Sequence, residues 1–205
     1  GVDPENGDPL WYKDEVDANK NPTGKRVTTN DYGSADYYYV NKSSLPKVYG
    51  GFNTSLSWKG FDLSVIFAYS IGGYIYNRDV TMILHNGSLE GRDWSTEILR
   101  RWTPDNRNTD VPALSTTSNN WNSASTRFLQ NNSYMRLKNL TLSYNLPKQW
   151  ISKLSLSSVQ VYVQGDNLFT IHRNQGLDPE QGITGITYYR YPAMRTISGG
   201  INVSF

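Results

Sequence analysis

The chain has 205 residues, a net charge of +2 and no cysteine, which excludes a nucleic-acid footprint, a disulfide framework and a thiolate metal site. Its apolar fraction is 37% while Tyr, Trp and Phe reach 13%, a balance that suits strands wet on one face and edged by aromatic rings. No apolar run approaches about 18 residues, so no helix of this sequence is long enough to cross a bilayer, whereas interleaved strands would pass that test.

Residues 1–47 are punctuated by Pro, Gly, Asn and Asp, with aromatic patches at Leu10-Trp11-Tyr12 and Tyr37-Tyr38-Tyr39, and are expected to form a long external loop. Asp17, Asn19 and Asn21 imitate the first ligands of a calcium loop. Pro22 replaces the turn glycine and Thr28 the bidentate Glu, so no metal is assigned there.

Residues 48–71 give the clearest hairpin. Phe52, Thr54, Leu56 and Trp58 share one face of a strand over 48–58, and Lys59-Gly60 then turns the chain. Phe61, Leu63, Val65, Phe67, Tyr69 and Ile71 line one face of the next strand, over 61–71, with Ile66 the single misfit.

The stretch 72–132 has no sustained period of two and is expected to be an external loop. A short helix is predicted inside it over Asp93–Trp102, capped by Asp93 and ended by Pro104. A strand over 133–146 places Leu140, Leu142, Tyr144 and Leu146 on one face. Upstream the alternation reverses at Met135 and Leu137, which predicts a bulge near Lys138. A helical turn over 147–154 leads to a strand over 158–170, a loop over 172–194, and a last strand over 195–205. In that last strand Ile197, Gly199, Ile201, Val203 and Phe205 alternate with small polar residues.

The expected fold is all-β: an antiparallel transmembrane β-barrel segment, part of a larger barrel, with long extracellular loops and a short loop helix. Short connections at Lys59-Gly60 and 147–158 fall at one end, expected to be periplasmic. The long segments fall at the other. Trp58, Phe61 and Tyr144 would contribute to a periplasmic aromatic girdle, and Ile201, Val203 and Phe205 would carry the membrane-assembly signal. A soluble extracellular β-sandwich that binds carbohydrate remains open on the same pattern; it requires one face to pack into a dry core.

No catalytic constellation is present. His85 and His172 are far apart in loop-like sequence without metal-type spacing, and no carboxylate pair is marked out as acid and base, so neither an enzyme nor a cofactor is expected. Aromatic and hydrogen-bonding residues in the loops, Trp121 and Asn122 in one and Tyr188, Tyr189 and Arg190 in the other, are the candidates for contact with a substrate or a partner.

Several stretches taken together resemble the C-terminal part of the SusC/RagA family of TonB-dependent outer-membrane transporters. They are Gly1–Pro9, Pro46–Phe52, Trp58–Ser64, Ser133–Leu142, Gly165–Thr170, Gly176–Glu180 and Tyr191–Thr196, in this order over nearly the whole chain. The resemblance implies a receptor of about 22 barrel strands in the outer membrane of a Gram-negative, Bacteroidota-like bacterium. It implies a plug domain outside this chain, a SusD-type surface lipoprotein as partner, and import of a glycan, or of a peptide, with energy relayed by TonB.

Overall fold

The computed structural model describes residues 1–87, 89–117, 119–176, 178–180, 182–187 and 189–205. They form two units. One is Gly1–Asn41 with Asn77–Leu129, and the other is Lys42–Tyr76 with Gln130–Phe205.

The second unit is built on a five-stranded antiparallel sheet. Its strands are β3 (Val48–Trp58), β4 (Phe61–Ile71), β7 (Tyr134–Asn145), β8 (Ser158–His172) and β9 (Thr196–Ser204), hydrogen-bonded in that order. Each is long enough for the roughly 9–11 residues that a tilted transmembrane strand needs. β3 and β4 meet at a two-residue turn in which Lys59 (φ 48) and Gly60 (φ 88) both take positive φ, the geometry whose twist matches that of the strands it joins. A helical turn, α2 (Lys148–Ile151) extended by a 3-10 turn at Ser152–Leu154, links β7 to β8 at the same end. The segments joining β4 to β7 and β8 to β9 lie at the other end and are long.

The register sorts the side chains into two faces. Trp58, Phe61, Tyr144, Val161 and Ile201 form one cross-strand row, Leu56, Leu63, Leu142, Val163 and Gly199 the next, and Phe52, Phe67, Leu137 and Phe169 another. Phe52 and Phe67 stack at 4.8 Å and Phe61 meets Tyr144 at 4.5 Å. These aromatic cross-strand pairs help hold the register. The face is uncovered: Leu56 is 66% exposed, Val163 49% and Ile201 65%. A β-sandwich would have closed a second sheet over it, so the dry-core alternative is not the fold of this chain.

The opposite face is a polar ladder. Asp62 accepts from Ser57 Oγ and, at 2.6 Å, from Asn145 Nδ2. Asp166 accepts from Asn139 Nδ2 at 2.8 Å, and Gln160 Oε1 from Asn202 Nδ2 at 3.2 Å. Ile66 lies on this face, opposite Asn53 and Asn139, which explains why it breaks the sequence alternation.

The bulge stands at Lys138. Ile66 and Phe67 are adjacent, yet they pair with Asn139 and Leu137, leaving Lys138 as the extra residue of β7. Without it, Arg136 would share the face of Leu140 and Leu142. With it, Arg136 joins Ala68 and Thr170 on the polar face.

A two-stranded pair of β5 (Tyr74–Tyr76) and β6 (Leu129–Asn131) accompanies the sheet. In the first unit, residues expected to be loop contain a hairpin of β1 (Trp11–Val16) and β2 (Pro22–Thr29), steadied by Trp11 against Tyr32 and by Arg26 lying 3.9 Å over the Tyr38 ring. The Asp17 carboxylate at its turn accepts from the backbone N–H of Asn19 at 2.8 Å and of Asn21 at 2.9 Å, so the calcium-like pattern serves an Asx turn. Leu84, Ile98, Val111, Trp121 and Phe128 form the buried core of this unit. The helix expected over Asp93–Trp102 is a 3-10 turn at Thr96–Arg100. Ser95 caps it instead of Asp93, with its Oγ accepting from Glu97 N at 3.3 Å. A six-residue helix, α1 (Arg78–Ile83), capped by Asn77, was not legible from periodicity.

Candidate functional site

The polar face of the second unit carries its chemistry where β7 passes the bulge. Arg136 is 3% exposed, and its three guanidinium nitrogens are all used. Nε donates to Thr170 Oγ1 at 2.9 Å, one terminal nitrogen to Glu180 Oε2 at 2.9 Å, and the other to Asp178 Oδ1 at 2.5 Å. Lys138, freed from the ladder by the bulge, reaches both oxygens of Glu180 at 2.7 and 2.6 Å. Asp178 also accepts from the backbone N–H of Glu180 at 2.9 Å and of Ala193 at 2.6 Å. Burial pushes the Asp178 carboxyl up, but those two N–H groups and the Arg136 guanidinium more than offset it, holding it below the usual carboxylate range. Two cations on one strand thus pin two acids of the β8–β9 connection. Asn132 adds a bond from Nδ2 to Pro179 O at 2.8 Å.

Beside this clamp is a pocket of about 460 Å³. Its floor is the loop end of β3, β4 and β7, with Tyr49, Ser70 and Tyr134 in one cross-strand row of the polar face. Ser44–Pro46, Pro179 and Ile183 complete the wall. Ser44 Oγ donates to Ile183 O at 2.9 Å, and Tyr76 N to Gly185 O at 2.7 Å. Gly185 has φ +74, and a Cβ there would stand 2.7 Å from Ser44 Cβ, so only glycine lets the two segments close this tightly.

The residues singled out in the sequence fall in different places. Trp121 is 5% exposed, with the Arg127 guanidinium 3.9 Å over its ring. It is a core residue of the first unit, without the presented face a flat ligand would need. Asn122 is half-buried in the same unit, Tyr189 and Arg190 are exposed in the second, and Tyr188 lies outside the described residues. Trp58 (63% exposed), Phe61 and Tyr144 share one row beside the Lys59-Gly60 turn. Ile201 pairs with Val161 and Val203 with Val159 on the apolar face, while Phe205 follows the end of β9. His85 is buried with its ring edge-on to Trp94 at 5.4 Å, and His172 Nδ1 lies 2.9 Å from Asn174 O. The clamp was missed: Arg136, Asp178 and Glu180 stood in quoted motifs, but nothing in either motif names the other as its partner.

A five-stranded antiparallel sheet with one uncovered apolar face, one hydrogen-bonded polar face, short turns at one end and long segments at the other defines a segment of a transmembrane β-barrel wall. No family model matches the chain. It is 35% identical over 166 residues to the TonB-dependent receptor P3 of Formosa agariphila, covering 76% of the chain and 16% of that relative. It is 27% identical over 198 residues to the TonB-dependent receptor SusC of Bacteroides thetaiotaomicron, covering 95% of the chain and 19% of SusC. The solved structure of the RagAB peptide transporter matches all of the chain with a TM-score of 0.83 at 35% identity, the chain spanning 22% of it. The chain belongs to the SusC/RagA family of TonB-dependent receptors, of which it is a barrel segment. It spans about a sixth to a fifth of the length of the curated relatives it matches.

Proposed function

We propose that this chain forms part of the wall and the outer loops of an outer-membrane importer that takes up a nutrient, a glycan or a peptide, using energy relayed by TonB. The observation that carries the reading is the sorting of the sheet. Rows such as Leu56, Leu63, Leu142 and Val163 suit lipid, and the Asp62, Asn139, Asp166 and Gln160 ladder suits a wet lumen. The polar face then looks into the barrel, and the clamp and pocket stand at its external mouth. Trp58, Phe61 and Tyr144 form part of the periplasmic girdle, and Ile201, Val203 and Phe205 present the assembly signal. The exposed Tyr189 and Arg190 are suited to meet a SusD-type lipoprotein or the cargo. The protein moves its substrate without chemical change.

The peptide cargo is supported by the likeness to RagAB, a peptide transporter, and the glycan cargo is what the resemblance to the SusC/RagA family implies. Deleting the receptor gene and measuring growth of the host on single glycans and on peptides tests the reading. Loss of growth on one cargo class is the expected result, and unchanged growth on every one overturns it.

A further inference from the structure

We propose that Lys42, Lys47 and Arg190, around the pocket lined by Tyr49, Tyr74 and Gly182, form a receptor for one oxyanionic group of the cargo, a carboxylate or a sulfate ester. This selection by charge rests on the import reading and adds to it a property of what is taken up.

The charge balance of the second unit carries the proposal. Its only carboxylate side chains are those of Asp62, Asp166, Asp178 and Glu180. Asp178 and Glu180 are taken by Arg136 and Lys138, so the clamp is closed and neutral. Asp62 bonds to Ser57 and Asn145 near the Lys59-Gly60 turn, and Asp166 to Asn139 and Gln164 within the sheet. No acid of the unit is left for the remaining cations of the loop end. Among the described residues none forms an ion pair with Lys42, Lys47 or Arg190.

Each of these cations stands against the pocket. Lys42 Nζ lies 4.6 Å over the ring of Tyr74. Lys47 continues the alternation of β3 onto the face of Tyr49, with its backbone N–H on Ile71 O at 2.8 Å and its stem across Gly72. The Arg190 guanidinium is 3.6 Å from where a Cβ of Gly182 would stand. Their field is already felt by a neutral group: the Lys42 ammonium, by hydrogen bond and by charge, with help from Asn131 and Lys47, holds the Tyr74 phenol below its ordinary value. An entering oxyanion gains from the same field, and a guanidinium offers it two parallel N–H donors. The pocket is open, Tyr49 being 77% exposed, so the anion keeps part of its water and escapes the full cost of burial. A cationic group would be repelled.

The test uses the full-length receptor, titrated at low salt with three matched pairs of probes: an N-acetylated tetrapeptide with a free C-terminal carboxylate and its amide, hexagalacturonate and its methyl ester, and a sulfated galactose hexasaccharide and its unsulfated form. At least one oxyanionic probe is expected to bind about tenfold or more tighter than its neutral counterpart, and which one does so identifies the source of the group. That preference should shrink as salt is added. The double variant Lys47→Gln with Arg190→Gln, both exposed side chains, should weaken the preferred probe about three- to tenfold and leave its neutral counterpart unchanged. Lys148→Gln, at the other end of the sheet, should change neither. Should the double variant fail to assemble, Arg190→Gln alone decides. Equal binding of both members of every pair, a preference that the variant leaves intact, or binding of no oxyanionic probe overturns the proposal. Growth separates the two readings. Cells that need the receptor for a cargo, with no preference for oxyanions in the titrations, refute the anion receptor alone, whereas cells indifferent to loss of the receptor on every cargo refute import.

Discussion

Arg136 and Asp178, forty-two positions apart, meet at 2.5 Å with 3% and 7% of their side chains exposed, and so tie the β8–β9 connection to the third strand of the sheet. The pair is possible only because the extra residue Lys138 turns Arg136 onto the polar face.

Breaking this pair from one side leaves the other charge buried alone. Arg136→Ala is expected to cost about 3–5 kcal/mol locally, the range for an orphaned buried partner, and to release the connection. The double variant Arg136→Leu with Asp178→Leu should be milder than either single change. Limited proteolysis across 178–194 on the folded receptor reads the difference. Equal resistance of wild type and Arg136→Ala would show that the pair anchors nothing.

The same pair gives a pH dependence. Asp178 titrates below the usual carboxylate value, so its contribution is complete at neutral pH and is lost as the pH falls through its lowered value, beneath about 3.9. A spin label at Gly182→Cys should stay immobile from neutral pH down to about pH 5 and loosen in stronger acid. In an Asp178→Asn background that acid step should largely vanish.

The Lys59-Gly60 turn is fixed by backbone geometry. Gly60 has φ +88, and a Cβ there would sit 3.0 Å from Asn145 O. Gly60→Ala is expected to destabilise the hairpin by about 1–2 kcal/mol, the cost of a left-handed conformation for an L-residue. Urea unfolding of the receptor in detergent measures it, and Lys59→Asn should be neutral or stabilising.

The two faces should respond oppositely to charge. Leu142→Arg, on the apolar face, is expected to cost about 2–4 kcal/mol at the depth of the bilayer midplane, whereas Thr141→Arg, its neighbour on the polar face, should cost far less. The fraction of receptor that folds into vesicles reports both.

The sheet was legible because a strand with one face to lipid alternates apolar and polar residues, and the strands show that alternation apart from Ile66 and the bulge at Lys138. The bulge at Lys138 was legible for the same reason, as a parity change between Leu137 and Leu140. Hairpin β1–β2 was not: Lys13, Asp14, Glu15, Lys25 and Arg26 are charged on both faces, so no period of two marks it. The turn at Thr96–Arg100 was read as a longer helix because Trp94, Ile98 and Trp102 have helical spacing, but Ser95 caps too late for more than a short turn. Trp121, an aromatic ring beside Asn122 in loop-like sequence, suits contact with a substrate or a partner. In the folded unit it is 5% exposed, with the Arg127 guanidinium over its ring, and no local pattern shows that burial. The Arg136–Asp178 clamp needed three-dimensional pairing of two motifs, which no local pattern encodes.

The sorting of the two faces is tested most directly by spin-label accessibility in lipid vesicles. The chain has no cysteine, so single cysteines can be placed at Leu63, Val65 and Leu142 and at Ser64, Thr141 and Gln164 in an otherwise label-free segment. The first three should be relaxed by oxygen dissolved in the bilayer and shielded from a water-soluble nickel chelate, and the second three should show the reverse. Equal accessibility of both sets to the nickel chelate would contradict the barrel-wall account.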